Sequence, residues 1–259
     1  MNNFIDYANY YDLLYHDKNY EAEVDYIEKI IFSESAQNPK SILELGCGTG
    51  IHSKLLAERG HSLHAIDLSS DMLELATQRI LGTDLVERLE FNVADVRDYR
   101  AGKKFDAVLS LFHVASYQAT NGDFEKFILT AKEHLNPDGI LIFDFWHKPA
   151  VLFEKPELRI KRCESKLGHL VRIAEPQLHI EKDIVDVNYQ IFISDEKKSD
   201  YRTFCEKHVM RYFSCDFVHE VLGKHGFGHI NFEEWLTGAP FSEETWGVAA
   251  TATLVEGIR

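Results

Sequence analysis

Long apolar runs, a basic leader and paired cysteines are all missing from this chain of 259 residues. No uninterrupted apolar stretch is long enough to span a bilayer, and residues 1–6 have neither a basic start nor an apolar core. We therefore expect a cytoplasmic protein that does not insert into a membrane. The four cysteines show no CxxC spacing, which argues against a zinc site and against a disulfide scaffold.

Positive charge is also scarce. The chain has 28 Lys and Arg against 42 Asp and Glu, for a net charge of −14. Contact with a nucleic-acid backbone needs clustered basic residues, so this balance favours a small-molecule partner over nucleic acid. No linker, repeat or low-complexity stretch divides the chain, and its length fits one elaborated α/β domain.

What is present begins with a glycine-rich turn. Residues 41–45 form an apolar strand, glycines alternate at Gly46, Gly48 and Gly50, and a helix follows. Such a turn lets a ligand approach the main chain, and the free N–H groups at the helix start face it. A dinucleotide fingerprint would need glycine at position 51, which is Ile51. The pattern is instead Glu-x-Gly-x-Gly-x-Gly, beginning at Glu44, with an ordinary strand-to-helix turn as the alternative interpretation.

Two acidic residues follow at the ends of further strands. Residues 61–67 form a strand closing on Asp67, whose carboxylate can accept hydrogen bonds from both ribose hydroxyls. Ser69 or Ser70 is expected to cap the next helix. A strand over 89–93 leads to Asp95, where a carboxylate and a backbone N–H can meet an adenine edge.

Two more strands complete an alternating pattern. Residues 105–112 read as a strand buried on both faces, with its tip at 113–118. A helix over 121–135, a turn at 136–139 and a strand over 140–146 follow. Five strands alternating with helices imply a parallel sheet with right-handed crossovers.

In this order, the motifs resemble those of class I S-adenosylmethionine (SAM) dependent methyltransferases. The resemblance implies a Rossmann-like α/β sheet, mostly parallel, of seven strands with an antiparallel last strand. It implies S-adenosyl-L-methionine as the cofactor and S-adenosyl-L-homocysteine (SAH) as its product. The residues expected to bind the cofactor are Tyr11, Glu44, Gly46, Cys47, Gly48, Asp67, Leu68, Met72, Ala94, Asp95, Val96 and Leu111.

The amino-terminal segment is rich in tyrosine from residue 7 to residue 20 and precedes a helix through about Phe32. It resembles the lid of methyltransferases that act on nucleotide-linked sugars, including amino-sugar N,N-dimethyltransferases. There a Tyr-Asp-x-x-Tyr segment folds over the cofactor, and its last tyrosine reaches the methyl acceptor. Here that segment runs from Tyr11 to Tyr15. The alternative for each tyrosine is an aromatic face packed on the sheet.

Residues 148–212 show period-two alternation, with strands predicted at 169–173, 178–180, 185–193 and 203–212 and a hairpin turn at 195–199. We infer an antiparallel β insert after strand five, as a substrate cap or a homodimer surface; the sugar-methyltransferase group carries a similar insert. The candidates for binding substrate are Arg172, Tyr189, His208 and Arg211, with Trp235 in a later loop. The alternative for the strand residues is that they face solvent.

These segments predict four regions. Residues 1–40 form a lid and helix, 41–147 the cofactor-binding α/β core, and 148–212 the β insert. Residues 213–259 supply a helix at about 216–224 and a final antiparallel strand pair at 226–232 and 247–254.

The transfer site is predicted to contain His113, Tyr15 and Tyr117, with His147 as a weaker rival. An amine acceptor need only be unprotonated, whereas a hydroxyl usually needs a general base, for which histidine suits neutral pH. In the amino-sugar dimethyltransferases a histidine aligns with Tyr117 and a small polar residue aligns with His113. This departure leaves both N- and O-methylation open. We expect no metal.

The sequence thus predicts a SAM-dependent methyltransferase for a small polar metabolite, a sugar or nucleotide-linked sugar. One alternative is a methyltransferase for another metabolite, such as an amino acid or a natural-product phenol. The other is a SAM-binding module without catalysis.

Overall fold

The computed structural model describes residues 10–34, 40–165, 168–195 and 200–255. Residues 10–14 are helical, and the longer helices are α1 (Tyr20–Glu34), α2 (Ile51–Glu58), α3 (Ser70–Ile80), α4 (Asn121–His134), α5 (Lys148–Glu154) and α6 (Cys215–Lys224). The strands are β1 (Ser41–Leu45), β2 (Ser62–Asp67), β3 (Leu89–Val93), β4 (Phe105–Ser110), β5 (Leu135–His147), β6 (Arg159–Ser165), β7 (Gly168–His179), β8 (Ile184–Asp195), β9 (Asp200–Phe213), β10 (Phe227–Glu234) and β11 (Gly247–Leu254).

The central sheet has the strand order β3-β2-β1-β4-β5-β11-β10. Strands β1 to β5 pair in parallel, while β11 is antiparallel to both β5 and β10. The predicted fold, mostly parallel with an antiparallel last strand, is therefore confirmed. Because the crossover helices cover both faces, the middle strands are largely apolar, and Ala107, Val108 and Leu109 of β4 are fully buried.

Helices on the two faces of this sheet form two cores. On one face α4 and α6 bury a phenylalanine-rich cluster that includes Phe124, Phe127 and Phe143. On the other face α1, α2 and α3 bury aliphatic residues such as Ile27 and Leu56. This packing fixes the carboxyl ends of the parallel strands along one edge, where ligands bind in open α/β sheets.

The structure corrects three predictions of strand boundaries. Strand β5 begins at Leu135, where a turn was predicted at 136–139, and a register shift lets it pair there with β4. Strand β6 was missed, because its short charged sequence has little apolar alternation. The predicted strands at 169–173 and 178–180 are one strand, β7, which ends at His179. Most of the predicted hairpin at 195–199 lies outside the described residues.

Strand β7 runs through Pro176 without a break because it is paired on one side only at that residue. The pairing of β7 with β6 ends at Ala174, so β7 is an edge strand at Pro176, with β8 on its other side only. Proline lacks an N–H and is tolerated where no neighbour on that side needs one.

The insert β6–β9 is an antiparallel sheet attached to the end of β5. Tyr212 and Phe213 of β9 pair with Trp146 and His147 of β5. The inner face of the insert, which includes Leu170 and Ile191, packs on the amino-terminal segment and on Met72 at the start of α3. The insert therefore lies at the edge of the core sheet where the parallel strands end.

His134, at the end of α4, gives stability a pH dependence. Its Nε2 accepts from the N–H of Ala101 at 2.8 Å, and Nδ1 lies 2.7 Å from the carbonyl of Thr130, so the neutral ring satisfies both groups. Burial lowers the pKa of His134 and, likewise, of His64 and His147. The unfolded chain therefore binds more protons below about pH 6.5, and stability falls there.

We expect the free energy of unfolding to decrease from pH 7 to pH 5, by up to about 1.4 kcal/mol per pH unit for each proton taken up. His134→Gln should reduce that slope, and denaturant titrations at each pH measure it. The exposed His219→Gln is the control. An unchanged slope in His134→Gln would contradict this account.

Candidate active site

The three glycines after β1 all have left-handed backbones, with φ of 81° at Gly46, 56° at Gly48 and 70° at Gly50. A Cβ at Gly46 would lie 2.7 Å from Val114, and one at Gly50 would lie 2.8 Å from Phe91, so both glycines are required by packing. A Cβ at Gly48 would meet no atom within 4 Å. The middle of the loop therefore faces open space.

Asp67 lies beside that space at the end of β2. Its Oδ2 accepts from the N–H of Gly48 at 2.8 Å, and its Oδ1 accepts from the N–H of Ser69 at 2.9 Å. Burial raises the pKa of Asp67, although these backbone donors oppose the rise. The residue as a whole is half-buried.

Glu44 and Cys47 lie beneath the loop. Glu44 is 1% exposed and accepts a hydrogen bond from Ser53 of α2, and burial raises its pKa. Cys47 is buried, its N–H donates to the carbonyl of Ile66, and burial raises the pKa of its thiol well above the usual value. The structure thus places both of these predicted cofactor residues as supports of the loop.

Two apolar side chains are exposed at neighbouring strand tips. Leu68, after β2, is 70% exposed, and Val93, at the end of β3, is 60% exposed. Val93 pairs with Asp67, and the N–H of Ala94 donates to the carbonyl of Asp67. Exposed apolar groups beside a polar cradle are typical of a binding site. Sequence reasoning singled out Leu68 and missed Val93.

Asp95 is engaged by its own neighbour. Arg97 Nε donates to both of its carboxylate oxygens, at 2.9 and 3.1 Å, and Arg97 also pairs with Asp123 at 3.3 Å. The hydrogen bonds from Arg97 lower the pKa of Asp95. An adenine amine would therefore share this carboxylate with Arg97. Val96 is half-buried and packs against the phenylalanine-rich core.

The amino-terminal segment is bonded to the glycine loop. Asp12 accepts from the Thr49 hydroxyl at 2.7 Å and pairs with Arg79, and Arg79 Nε donates to the carbonyl of Thr49 at 3.1 Å. Tyr11 lies on the same segment, and burial and the nearby Tyr15, Tyr20, Tyr117 and Asp67 raise its pKa well above the usual value. This segment therefore closes over the loop. Sequence reasoning did not foresee the role of Asp12.

Tyrosines surround the space between this segment and the insert. The rings of Tyr11 and Tyr15 are 4.8 Å apart, and Tyr15 meets the edge of Phe112 at 5.0 Å. Arg172 of β7 donates to the Tyr15 hydroxyl at 3.0 Å and lies over the ring of Tyr189 at 4.9 Å. The structure thus brings together Tyr15, Arg172 and Tyr189, which the sequence nominated from distant segments.

His113 lies at the tip of β4 against a buried carboxylate. Its Nδ1 is 2.6 Å from Oδ2 of Asp144 on β5, and its N–H donates to both oxygens of Asp144 at 3.0 and 3.1 Å. Asp144 is 1% exposed; burial acts to raise its pKa, but His113 and Lys18 outweigh burial and hold it below the usual value. The Asp144 pairing fixes the ring and leaves Nε2 for another partner.

The backbone at this tip is strained. Phe112 and His113 both have φ of 63°, a left-handed conformation that costs roughly 1–2 kcal/mol for a residue with a Cβ. The hydrogen bonds from the His113 N–H to Asp144 hold the turn in place. Leu111 lies just before it and is buried at 2% exposure. Strained residues persist where surrounding contacts fix them, and they cluster at functional sites.

Arg211 is placed differently from the other nominated residues of the insert. Side chains alternate along β9, so Arg211 lies on the opposite face from His208. It is 8% exposed, donates to Asn121 at 2.6 Å and stacks on Phe213 and Phe217 at 4.8 and 4.9 Å. Arg211 thus joins the insert to the core on the face opposite His208, and its contact with substrate stays a prediction.

The other two nominated residues lie near β11. The Trp235 ring packs edge to face on Tyr26, with the ring centroids 5.1 Å apart. The backbone N–H of Trp235 donates to the carbonyl of Gly247, which lies near His113. His147 is buried with its Nδ1 at 3.2 Å from the carbonyl of Thr245, and burial lowers its pKa. Trp235 thus stays beside the site, while His147 supports the end of β5.

Two further residues at the site, besides Asp12 and Val93, were missed from the sequence. Asp144 is the one carboxylate in the apolar stretch 140–146 of β5, and that pattern signals a buried partner. Lys18 lies 3.5 Å from the centroid of the Phe112 ring and pairs with Glu23 at 2.8 Å. Nothing in the sequence around Lys18 gave a comparable signal.

Among the described residues no group of three or more His, Cys, Asp or Glu is arranged to hold a metal ion. No helix in the described ranges is long and apolar enough to cross a membrane.

Comparison with known proteins finds a family match over part of the chain and a shared fold. Residues 42–139 match the family described as "Methyltransferase domain". The dTDP-3-amino-3,4,6-trideoxy-alpha-D-glucopyranose N,N-dimethyltransferase of Streptomyces venezuelae is 32% identical over 147 residues, which cover 56% of this chain and 59% of that protein. The chain thus spans little more than half the length of this relative.

Two further likenesses extend over nearly the whole chain. The dTDP-4-amino-2,3,4,6-tetradeoxy-D-glucose N,N-dimethyltransferase of Saccharopolyspora spinosa is 25% identical over 242 residues, covering 91% of this chain and 89% of that protein. The crystal structure of an S-adenosylmethionine-dependent methyltransferase from Clostridium acetobutylicum has a TM-score of 0.79 at 21% identity, covering 95% of this chain and 96% of that one. The fold is therefore shared along the chain, including the insert.

Proposed function

We propose that this chain, whose residues 42–139 match the family described as "Methyltransferase domain", transfers a methyl group from S-adenosyl-L-methionine to nitrogen or oxygen of a small sugar. The observation that carries the proposal is the open space at Gly48, flanked by the Asp67 carboxylate and the amino-terminal segment. Packing does not require glycine at position 48, and the loop is hydrogen-bonded to Asp67 at the end of a strand. A glycine in this position lets a nucleoside approach the main chain closely.

The residues present fit this cofactor. The Asp67 carboxylate is suited to the ribose hydroxyls, the exposed Leu68 and Val93 to an apolar base, and Tyr11 to covering it. When bound, S-adenosyl-L-methionine supplies an electrophilic methyl carbon on a positively charged sulfur. The protein's part is to hold the acceptor atom in line with that carbon and to keep water out.

The acceptor class is supported by the relatives whose names specify a nucleotide-linked amino sugar. The space lined by Tyr15, Arg172 and Tyr189 lies between the cofactor loop and the insert. An arginine held between aromatic rings suits an anionic or hydroxyl-rich ligand. An amino acid or a phenol as acceptor and a SAM-binding module without catalysis are the competing proposals, and a homodimer through the insert stays a prediction.

His113 is the proposed proton acceptor for a hydroxyl group. Its Nδ1 contacts Asp144, so Nε2 is the nitrogen that can take a proton, as in other histidines oriented by a carboxylate. We expect His113→Ala to slow methylation of a hydroxyl by about 100-fold or more. Its affinity for SAH should not change, because His113 is not among the groups around Asp67.

The experiment that tests the proposal uses S-adenosyl-L-methionine with a deuterated methyl group and a panel of nucleotide sugars, amino sugars, amino acids and phenols. Mass spectrometry should find the labelled methyl on one class of sugar. Transfer only to an amino acid or a phenol would replace the sugar assignment, and no transfer despite cofactor binding would favour the non-catalytic module. The exposed His219→Ala is the control for His113→Ala.

A further inference from the structure

The insert brings an imidazole to the hydroxyl of Tyr117. Tyr117 ends the short turn after β4, and His208 lies on the inner face of β9. The Tyr117 hydroxyl is 2.7 Å from Nδ1 of His208, and Nε2 of His208 is 3.1 Å from Oε2 of Glu206. The three groups form one chain of hydrogen bonds that runs from the tyrosine-lined space into the insert.

The carboxylate sets the direction of this chain. Ionised Glu206 can only accept, so Nε2 of His208 carries the proton of the neutral ring. Nδ1 then has a lone pair and accepts the Tyr117 hydroxyl proton. The phenol oxygen keeps its own lone pairs for a donor in the space.

Burial shields two of the three groups, His208 and Glu206, from bulk water. The side chains of His208 and Glu206 are 14% and 7% exposed, and Oε1 of Glu206 has no hydrogen-bond partner among the described residues. Tyr117 is 46% exposed, yet burial first, and then its neighbours, raise its pKa well above the usual value. The phenol therefore stays protonated at neutral pH.

The charged and titratable groups that surround Tyr117 and His208 come from several elements. Tyr189 of β8 meets the His208 ring at 4.9 Å, and Arg172 of β7 lies over Tyr189. Tyr11 and Tyr15 of the amino-terminal segment and Asp67 of β2 interact electrostatically with this group of tyrosines. Two carboxylates, Asp67 and Glu206, act on Tyr117, while Arg172 donates to Tyr15 and Lys161 lies 5.8 Å from the centroid of the Tyr15 ring. Beside Tyr117 the carboxylates favour a cationic ligand group, whereas Arg172 suits an anionic or hydroxyl-rich part of the same ligand.

We propose that Tyr117, His208 and Glu206 form a proton relay that converts an ammonium group of the bound acceptor into the free amine. One N–H bond of the acceptor breaks, its electron pair stays on nitrogen, and the proton goes to the Tyr117 oxygen. The Tyr117 hydroxyl proton passes to Nδ1 of His208, and the imidazolium faces Glu206 until it releases a proton to water. The acceptor of the proposed methyl transfer is therefore an amine, and this inference rests on that proposed function.

The three residues act differently. Tyr117 touches the acceptor, whereas His208 and Glu206 are positioning residues that make the phenol oxygen a proton acceptor. An acceptor that is already a free amine does not need them. The relay therefore predicts a loss of rate that depends on pH, which a purely structural contact does not.

The test compares wild type, His208→Gln and Tyr117→Phe with a matched control, His179→Gln. His179 pairs with Asp186 at 3.0 Å on the outer face of the same insert. The probe is dTDP-3-amino-3,4,6-trideoxy-alpha-D-glucopyranose, assayed for methylation from below to above the pKa of its amine. We expect His208→Gln and Tyr117→Phe to lose about 100-fold in rate at low pH, to recover above that pKa, and His179→Gln to match wild type.

A second readout needs no turnover. In protein labelled with ¹⁵N-histidine, neutral His208 should carry its proton on Nε2, and the Nδ1 resonance should shift in Tyr117→Phe. A proton on Nδ1 would overturn the relay, as would a loss of rate in His208→Gln that is equal at every pH or absent.

Failure of the relay and failure of the proposed function give different results. If wild type and all variants bind SAH equally but only a hydroxyl in the panel is methylated, the amine relay is wrong and the methyltransferase proposal stands. If no form binds SAH, the proposed function is wrong and the relay with it, whatever tautomer His208 adopts.

Discussion

Asp67→Ala is expected to weaken binding of SAH by about 100-fold. Hydrogen bonds to a charged group contribute about 1.5–3 kcal/mol each, so losing two to the ribose removes roughly 3 kcal/mol or more. The same change leaves the N–H groups of Gly48 and Ser69 without their acceptor and loosens the loop. Calorimetric titration of wild type and variant with SAH measures the effect.

The control for this change is Asp98→Ala, because Asp98 is an exposed acid shortly after β3. It should bind SAH as wild type does. Thermal unfolding of both variants separates a lost ligand contact from a lost fold. Equal SAH affinity in wild type and a folded Asp67→Ala variant would remove Asp67 from the cofactor site.

Asp144→Ala is expected to destabilise the protein by about 3–5 kcal/mol at pH 7. Asp144 is 1% exposed, accepts hydrogen bonds from the backbone N–H of His113 and lies 2.6 Å from its Nδ1, and breaking a buried pair leaves the remaining partner uncompensated. The strained turn at Phe112 and His113 also loses its anchor. Urea titrations of both proteins give the difference in free energy of unfolding.

The pH dependence of that difference has a definite sign. The pKa of Asp144 is lower in the folded protein than in the unfolded chain, so its contribution is present above the unfolded value of about 3.9. It is lost as the pH falls through the folded value. The matched control Asp186→Ala, whose partners His179 and Lys207 lie near the surface, should cost about 1 kcal/mol or less. A similar small cost for Asp144→Ala would contradict the account.

The core of this fold could be predicted from sequence because its rules are local. An apolar strand, a glycine turn and an acid at the next strand end recur in order, and parallel strands place all their carboxyl ends along one edge. That is why Gly48 and Asp67 are hydrogen-bonded to each other, and why His113 lies at the same edge of the sheet, although nothing in the sequence states their distances. The cap of α3 could also be predicted, because Ser69 or Ser70 was expected there and the Ser69 hydroxyl accepts from the N–H of Met72.

The insert shows where such rules end. Whether a strand residue faces in or out depends on register, and His208 and Arg211 were nominated together although an odd spacing puts them on opposite faces. The contact between Tyr117 and His208 joins residues 91 apart, and Asp144 and His113 are 31 apart. Pairings of this kind depend on tertiary packing, so the sequence supplied the candidates but not their partners.

The measurement that tests the central claim most directly is calorimetric titration of the purified protein with SAH, alone and with dTDP-3-amino-3,4,6-trideoxy-alpha-D-glucopyranose present. The account predicts a single site with a Kd of the order of micromolar, tightened when the amino sugar is bound, because both ligands fill one space beneath the amino-terminal segment. Absence of binding by SAH, and equally by S-adenosyl-L-methionine, would contradict the account and leave the glycine loop as a structural turn.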